Sequence, residues 1–368
     1  MILDKSNNIL ICPLEWGLGH SGRMIPLALR LQNMNNKIFI GAGHEHICFF
    51  KKELDGVLYI HFPGFRPGYS ALLPQYLVLL LKLPLLFYHI IHEHIKLRKI
   101  IKRHNIDIVI SDNRFGLWNR KIKTVYITHM PRIPFPAGFR WMERAGTALH
   151  RFIIKKYSFC LIPDLPGEPN LTGRLSHGVR LPSNATFTGI LSRFTESVEE
   201  ASGAEEITGL PHHTVILSGP EPQRSILRQK LVNILEKNKT ASVFLEGKPA
   251  DKSRLSRSGN ILSFNHLNTP DMKKVIMSSM SIICRSGYST VMELVSLGKS
   301  ALLVPTPGQT EQEYLAGYLS SLGLFTMVRQ NEISDQMSLN TANIPFPDAI
   351  NEESSELLGK ALKAVLKD

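Results

Sequence analysis

A histidine at the end of a glycine-rich loop is the first residue equipped for chemistry. His20 closes Gly17-Leu18-Gly19-His20, shortly after the apolar run Ile9-Leu10-Ile11-Cys12. Such glycines let backbone approach a ligand closely. An imidazole at the mouth of a cleft titrates near neutral pH, so it can serve as a general base. With Gly22 the segment also fits G-x-G-x-x-G. The acidic residue that a dinucleotide-binding unit carries after its second strand is missing, because Ile40 is followed by Gly41-Ala42-Gly43-His44. Asp112, in Ser111-Asp112-Asn113-Arg114 at the end of another apolar run, is the second candidate base.

The other half carries residues suited to phosphate and hydroxyl groups. Ser218-Gly219-Pro220-Glu221-Pro222-Gln223-Arg224 reads as a strand-to-helix loop with a cation near the helix start, a combination that holds phosphate. Cys284-Arg285-Ser286-Gly287-Tyr288-Ser289-Thr290 ends one strand and opens a helix, whose free N–H groups and dipole can receive a diphosphate. Glu293 lies one turn further on, where a carboxylate can accept hydrogen bonds from both hydroxyls of a ribose. Gln309, Gln312 and Glu313 fall at the next strand-to-helix loop, where polar side chains can hold sugar hydroxyls.

These residues need a scaffold of alternating strands and helices. Short apolar runs at 9–12, 37–41, 106–111 and 124–128 read as buried parallel strands, with a helix from Ser21 to Gln32 and a polar helix from His92 to His104. A second series follows an acidic, Ser/Gly-rich linker within 191–213. Its strands are expected at 214–218, 242–245, 261–264, 281–284 and 301–304, and its helices near 225–236, 271–278, 289–297, 311–322 and 352–367. The pattern predicts an α/β fold with two Rossmann-like doubly wound domains. Residues 1–190 form the first and 191–350 the second. A C-terminal helix, 351–368, packs back on the first.

Charge separates the halves. The chain has 368 residues and a net charge of +12. Residues 1–190 hold 25 Lys/Arg against 11 Asp/Glu, whereas the remainder is close to neutral. The first half is therefore expected to meet something anionic. It also contains Ala71–Ile91, in which 16 of 21 residues are apolar. Lys82 at its centre and Pro74 and Pro84 argue against a membrane span. With Lys96, Arg98, Lys99, Lys102 and Arg103 just beyond, it fits either a peripheral membrane wedge or a core helix followed by a solvated one. Four scattered cysteines without a C-x-x-C pair suit a reducing compartment. The start MILDKSNN lacks a basic-then-apolar leader, so a cytoplasmic location is expected.

Taken together, these motifs resemble glycosyltransferase family 28. Its members include transferases that glycosylate lipid-linked muramyl-pentapeptide and diacylglycerol. The likeness is strongest over 281–323, is supported at 214–224 and 9–31, and is vague between 42 and 180. It implies a GT-B fold, in which two Rossmann-like domains face a cleft and the second holds most of a nucleotide-sugar. It assigns donor contacts to Gly17, Gly19, Ser218, Gly219, Arg224, Arg285, Ser286, Gly287, Ser289 and Thr290, a ribose contact to Glu293, and sugar contacts to Gln309, Gln312 and Glu313. In Gly189-Ile190-Leu191-Ser192-Arg193 it makes Arg193 a diphosphate contact. His129 and Arg114 become candidate acceptor contacts. One departure is clear: the family's second-domain loop starts Gly-Gly-Ser, and this chain has Leu217-Ser218-Gly219.

The expected function is transfer of a sugar, N-acetylglucosamine or a hexose, from a UDP-sugar to a lipid-linked or glycan acceptor at an anionic membrane surface. This would occur on the inner face of the cell membrane, in cell-envelope chemistry. No Asp-x-Asp metal motif is present, so no metal or cofactor is expected. Helix N-termini with Arg193 and Arg224 would take the leaving charge. The Glu-x7-Glu spacing of some retaining enzymes occurs only at Glu45 and Glu53, in the first domain, which favours inversion. A UDP-N-acetylglucosamine 2-epimerase-like enzyme and a non-catalytic binding protein are the alternatives. Nucleic acid is not an expected partner, because the cations are not interleaved with aromatics in a known module.

Overall fold

The computed structural model describes residues 6–68, 75–195, 211–219, 221–237, 240–249, 255–334 and 349–367. Residues 71–74 of the apolar stretch, 196–210 of the linker and Pro220 lie outside the described residues.

Ile9, Leu10, Ile11 and Cys12 are fully buried because their strand, β1 (Asn8–Cys12), lies inside a sheet covered on both faces. It pairs in parallel with β2 (Lys37–Ala42) on one side and with β4 (Ile108–Asp112) on the other, with Ile9 opposite both Ile38 and Ile108. The full sheet runs β3-β2-β1-β4-β5-β6-β7, where β3 is Leu58–His61, β5 Lys123–Ile127, β6 Phe159–Ile162 and β7 Ala185–Phe187. The second sheet runs β10-β11-β9-β8-β12-β13-β14. Its central strands are β8 (His212–Ile216), β9 (Ala241–Leu245) and β12 (Ser281–Cys284). The outer strands are β10 (Leu255–Ser258), β11 (Ile261–Phe264), β13 (Leu302–Leu303) and β14 (Thr326–Met327), and the β10–β11 pair is antiparallel. Among the parallel strands of each sheet the order reverses between β1 and β4 and between β8 and β12. Open α/β sheets bind ligands at the carboxyl ends of such strands. That places the loops after Cys12, Asp112, Ile216 and Cys284 at two facing switch points.

Two helices differ from the sequence reading. The expected Ser21–Gln32 helix is two: α1 (Leu18–Gly22) and α2 (Met24–Asn33), with Arg23 at the joint. Pro26 has no N–H to donate to the Gly22 carbonyl four residues back, so the ladder breaks there. The polar helix is the second half of a longer one, α5 (Leu83–His104), which starts with Pro84 in its first turn, where proline is tolerated. It follows α3 (His44–Phe50) and α4 (Gln75–Leu81), and it bends by 65° from α4. Among the described residues no single helix is long and apolar enough to cross a membrane, although α4 and α5 together pass by length and composition. This stretch is not a core helix, since Leu80, Leu81, Phe87, Tyr88 and Ile91 are all more than half exposed.

Among the described residues the remaining α-helices are α6 (Glu143–Ile154), α7 (Gln223–Leu235), α8 (Thr269–Ser278), α9 (Tyr288–Ser296), α10 (Thr310–Ser321) and α11 (Ala349–Leu366). One apolar cluster includes Ile9 and Leu27 of the first domain and Val291 and Leu294 of the second, so the domains share a core across their interface. The last helix, α11, lies against the first domain. Ser354 Oγ accepts the Ile190 N–H at 3.0 Å, and the Arg30 guanidinium donates to the Ser355 carbonyl at 2.7 Å.

Candidate active site

The loop after β1 and the single turn α1 bring His20 to the edge of a cleft of about 400 Å³ between the domains. Its Nδ1 lies 2.9 Å from Oδ2 of Asp112, the last residue of β4. The two candidate bases are thus one pair. Asp112 is fully buried and cannot reach a substrate, whereas the His20 side chain keeps 20% of its surface. Nδ1 also lies 2.9 Å from Nη2 of Arg23, but the ionised carboxylate can only accept, so the bond to Asp112 puts the proton on Nδ1 and leaves Nε2 as the acceptor. Burial lowers the His20 pKa below 6.5 and the Asp112 charge opposes it, so the imidazole is neutral at pH 7, the form a base needs. Burial also opposes ionisation of Asp112. Arg23, followed by His20, outweighs it and brings the carboxyl down to about 2. Arg23 is itself buried and donates to both Asp112 oxygens, through Nε at 3.0 Å and through Nη2.

The second domain forms the opposite wall. Gly287 caps α9, and its first-turn residues Tyr288, Ser289 and Thr290 line the cleft with Leu217, Ser218 and Gly219 from the loop after β8. The first helical turn has N–H groups without intrahelical acceptors, and its residues line the cleft. Gln309 and Gln312, at the start of α10, complete this wall. The Gln312 side-chain oxygen accepts the Thr306 N–H at 2.9 Å, while the buried Oε1 of Gln309 has no partner. Arg224 also lines the cleft, but it is paired with Glu221 at 3.1 Å and bonded to the Gly247 carbonyl. Gly19 has a role besides approach to a ligand. A Cβ there would lie 3.0 Å from Cβ of Ser289, and one on Gly22 would lie 3.3 Å from Glu293 Oε1. These glycines let α1 pack against α9, so the domains meet at the site itself.

Seven residues assigned from the resemblance differ in placement or role. Arg193 does not face the cleft. It is buried with its Nε 2.9 Å from Glu293 Oε1 and its Nη1 3.7 Å from Glu53 Oε1, and so Glu293 is an ion-pair partner rather than an open ribose acceptor. Arg285 is fully buried and staples loops by donating to the carbonyls of Gln223, Val304 and Pro305. Ser286 is buried too, its hydroxyl on the Gln312 carbonyl at 2.8 Å. Glu313 turns aside to the Gly308 N–H. Arg114 is an internal support, paired with Glu93 at 3.0 Å and bonded to the carbonyls of Gly41 and Phe62. His129 does border the cleft, but both its ring nitrogens are occupied, by Arg23 at 3.1 Å and by Glu311 at 2.7 Å, so it has none for an acceptor.

The sequence reading missed Arg23, Tyr288 and Glu311. Arg23 follows His20 by three residues, which on a helix puts them on one face, a signal that was available. Tyr288 stacks flat on His129, with ring centres 4.4 Å apart and planes 9° apart. Glu311 meets His129 across 182 residues of sequence, which no local pattern announces.

Residues 227–364 match the glycosyltransferase family 28 C-terminal domain. Part of the chain is 39% identical over 93 residues to the UDP-N-acetylglucosamine--N-acetylmuramyl-(pentapeptide) pyrophosphoryl-undecaprenol N-acetylglucosamine transferase of Desulforudis audaxviator, covering 23% of this chain and 25% of that protein. The like-named protein of Alkaliphilus oremlandii is 27% identical over 161 residues, covering 41% of this chain and 44% of the relative. The match therefore spans about a quarter of the length of the first of these relatives. Among solved structures, the glycosyltransferase SnogD from Streptomyces nogalater superposes with a TM-score of 0.63 over 98% of this chain and 99% of its own, at 14% identity. The glycotransferase of kitacinnamycin gives 0.61 over 99% and 96%, at 13% identity. Likeness at such identities is a likeness of fold. The chain has the two-domain GT-B architecture, and residues 227–364 of its second half are similar to the glycosyltransferase family 28 C-terminal domain.

Proposed function

We propose that this chain is an inverting, metal-independent glycosyltransferase that moves a sugar, N-acetylglucosamine or a hexose, from a UDP-sugar to a membrane-associated lipid or glycan acceptor. The observation that carries the reading is the open Nε2 of His20, backed by buried Asp112, facing the first turn of α9 across the cleft. In the proposed step the acceptor oxygen bonds to the anomeric carbon as the bond from that carbon to the diphosphate oxygen breaks. The acceptor proton passes to His20 Nε2, and Asp112 stabilises the imidazolium. The electron pair leaves with UDP, whose charge meets the N–H groups of the α9 first turn. A single displacement inverts the anomeric centre. The relatives' names, which specify a UDP-sugar donor and an undecaprenol-linked acceptor, support this choice of substrates.

The donor half is tested by calorimetric titration with UDP, UDP-N-acetylglucosamine, UDP-glucose and their guanosine and adenosine counterparts, with EDTA present. Saturable binding confined to the uridine compounds is expected. Binding that requires added metal, or that ignores the base, would refute the donor assignment.

The membrane side of the reading rests on α4 and α5. Leu81, Phe87, Tyr88 and Ile91 are exposed there, and Trp141, 75% exposed, lies on the 137–142 segment whose Phe139 ring meets Tyr76 of α4 at 6.1 Å. The cations Lys96, Arg98, Lys99, Lys102 and Arg103 follow on α5. Each cation near an anionic surface contributes about 1 kcal/mol, and the apolar tips add burial. The double variant Leu81→Glu/Ile91→Glu is expected to lose at least about tenfold in affinity for phosphatidylglycerol vesicles in a sedimentation assay. Equal retention of variant and wild type would exclude this face.

A further inference from the structure

Side chains from both domains join the base to the wall that faces it. His20 is bonded to Asp112, Asp112 to Arg23, Arg23 Nη1 to His129 Nδ1 at 3.1 Å, and His129 Nε2 to Glu311 Oε1 at 2.7 Å. The first four belong to the first domain, and Glu311 lies in the first turn of α10 in the second. A guanidinium can only donate, so His129 Nδ1 must accept, and its proton sits on Nε2 and is given to Glu311. The tautomer is therefore set by a partner on each side. Tyr288, from the start of α9, stacks on the same ring. Two second-domain helices that line the cleft, α9 and α10, thus touch His129.

We infer that Glu311 is a positioning residue: by holding His129 across the cleft it fixes Arg23, and through Arg23 the Asp112–His20 pair, so that the base is aligned only when the two domains are shut. The inference rests on the transferase reading for its catalytic consequence but not for the link itself. When the domains part, His129 loses both its acceptor and its stacking partner. Its ring is then free to turn, and Arg23 keeps Asp112 as its one fixed acceptor. Gln309 and Gln312 flank Glu311 in sequence and line the cleft, so a sugar held by them draws on the same turn of α10. Donor capture and alignment of the base then become one event. An open, donor-free enzyme would hold a poorly aligned base.

The test compares Glu311→Ala with Glu311→Gln. Misalignment of a reacting group by about 1 Å costs on the order of 10²-fold, so kcat of the alanine variant should fall by about that factor while KM for the donor changes little. Glutamine keeps an oxygen that accepts the His129 Nε2–H, so Glu311→Gln should recover most of the rate. A second readout needs no turnover: amide hydrogen exchange over Leu18–Arg23 in the ligand-free protein should quicken at least tenfold in Glu311→Ala and remain near wild type in Glu311→Gln. Unchanged exchange together with unchanged kcat would overturn the inference. So would a rise in KM at constant kcat, which would make Glu311 a donor ligand, or equal losses in both variants. If the wild-type protein transfers no sugar, the transferase reading fails, and the exchange measurement still decides whether the link exists.

Discussion

His20→Ala should lower the rate of sugar transfer by about 10²–10⁴-fold and leave UDP-sugar affinity near that of the wild type. The split follows from geometry. In the proposed step His20 serves the acceptor, while the facing wall proposed to hold the donor is lined by Ser218, Gly219, Ser289, Thr290, Gln309 and Gln312 of the other domain. Deleting the imidazole removes the proton acceptor and leaves that wall intact. It also leaves Asp112 paired with Arg23 through two bonds, so no uncompensated charge is buried and the protein should fold. Asp112→Asn is a poorer probe, because it strips the counter-charge from buried Arg23. Single-turnover transfer and calorimetric donor binding, measured on one preparation, check both halves of the expectation. A His20→Ala enzyme with the wild-type rate would end the base assignment.

Arg193→Met should lower the stability of the fold by about 3–5 kcal/mol, the range for breaking a buried ion pair on one side. Arg193 joins carboxylates from both domains, Glu53 after α3 and Glu293 on α9, while His266 lies 3.8 Å from Glu53 and the Thr269 hydroxyl donates to it at 2.5 Å. Without the guanidinium two buried carboxylates face each other. Burial already holds the Glu293 carboxyl above its ordinary 4.5, with Arg193 working the other way. For Glu53, burial pushes up, but the neighbouring His266 ring and then the Arg193 charge bring it below 4.5. Removing Arg193 therefore raises both. A carboxyl whose folded pKa is raised contributes stability at low pH and loses it as pH climbs through that folded value. The deficit of Arg193→Met should accordingly be largest near pH 8 and shrink towards pH 5, as protonation relieves the repulsion. Thermal midpoints of wild type and variant across that range test it, and a deficit independent of pH would refute the clamp.

The same cluster shows where reading residues one by one stops. An arginine eleven residues after Pro182 and four after Gly189 has the chemistry to hold a diphosphate, and its sequence neighbours say nothing of Glu53 and Glu293, which claim it instead. Arg285 misleads similarly. It sits inside the donor motif, yet burial turns it under the loop, where desolvation lowers its pKa to about 10. What was legible depended on local physics. Ile261–Phe264 and Ser281–Cys284 are short apolar runs buried on both faces, and their ends agree with the reading. The loop-to-helix step at Gly287 was legible because glycine, strand end and helix start are adjacent in sequence. The two-residue strand β13 lies within the expected run 301–304, whereas β14 carries too little pattern to define and the exposed edge strand β10 has no apolar alternation to reveal it. The pairing of His20 with Asp112 is a third case. Each was recognised alone, and only the switch point between β1 and β4 puts them 2.9 Å apart.

The most direct measurement follows a radiolabelled UDP-N-acetylglucosamine or UDP-hexose incubated with the wild-type protein, EDTA and a bacterial membrane lipid extract. This account predicts UDP released in step with label entering the lipid fraction, at a rate insensitive to EDTA and lost with His20→Ala. Label that stays in the intact nucleotide-sugar, across the donor panel and with lipid present, would contradict it.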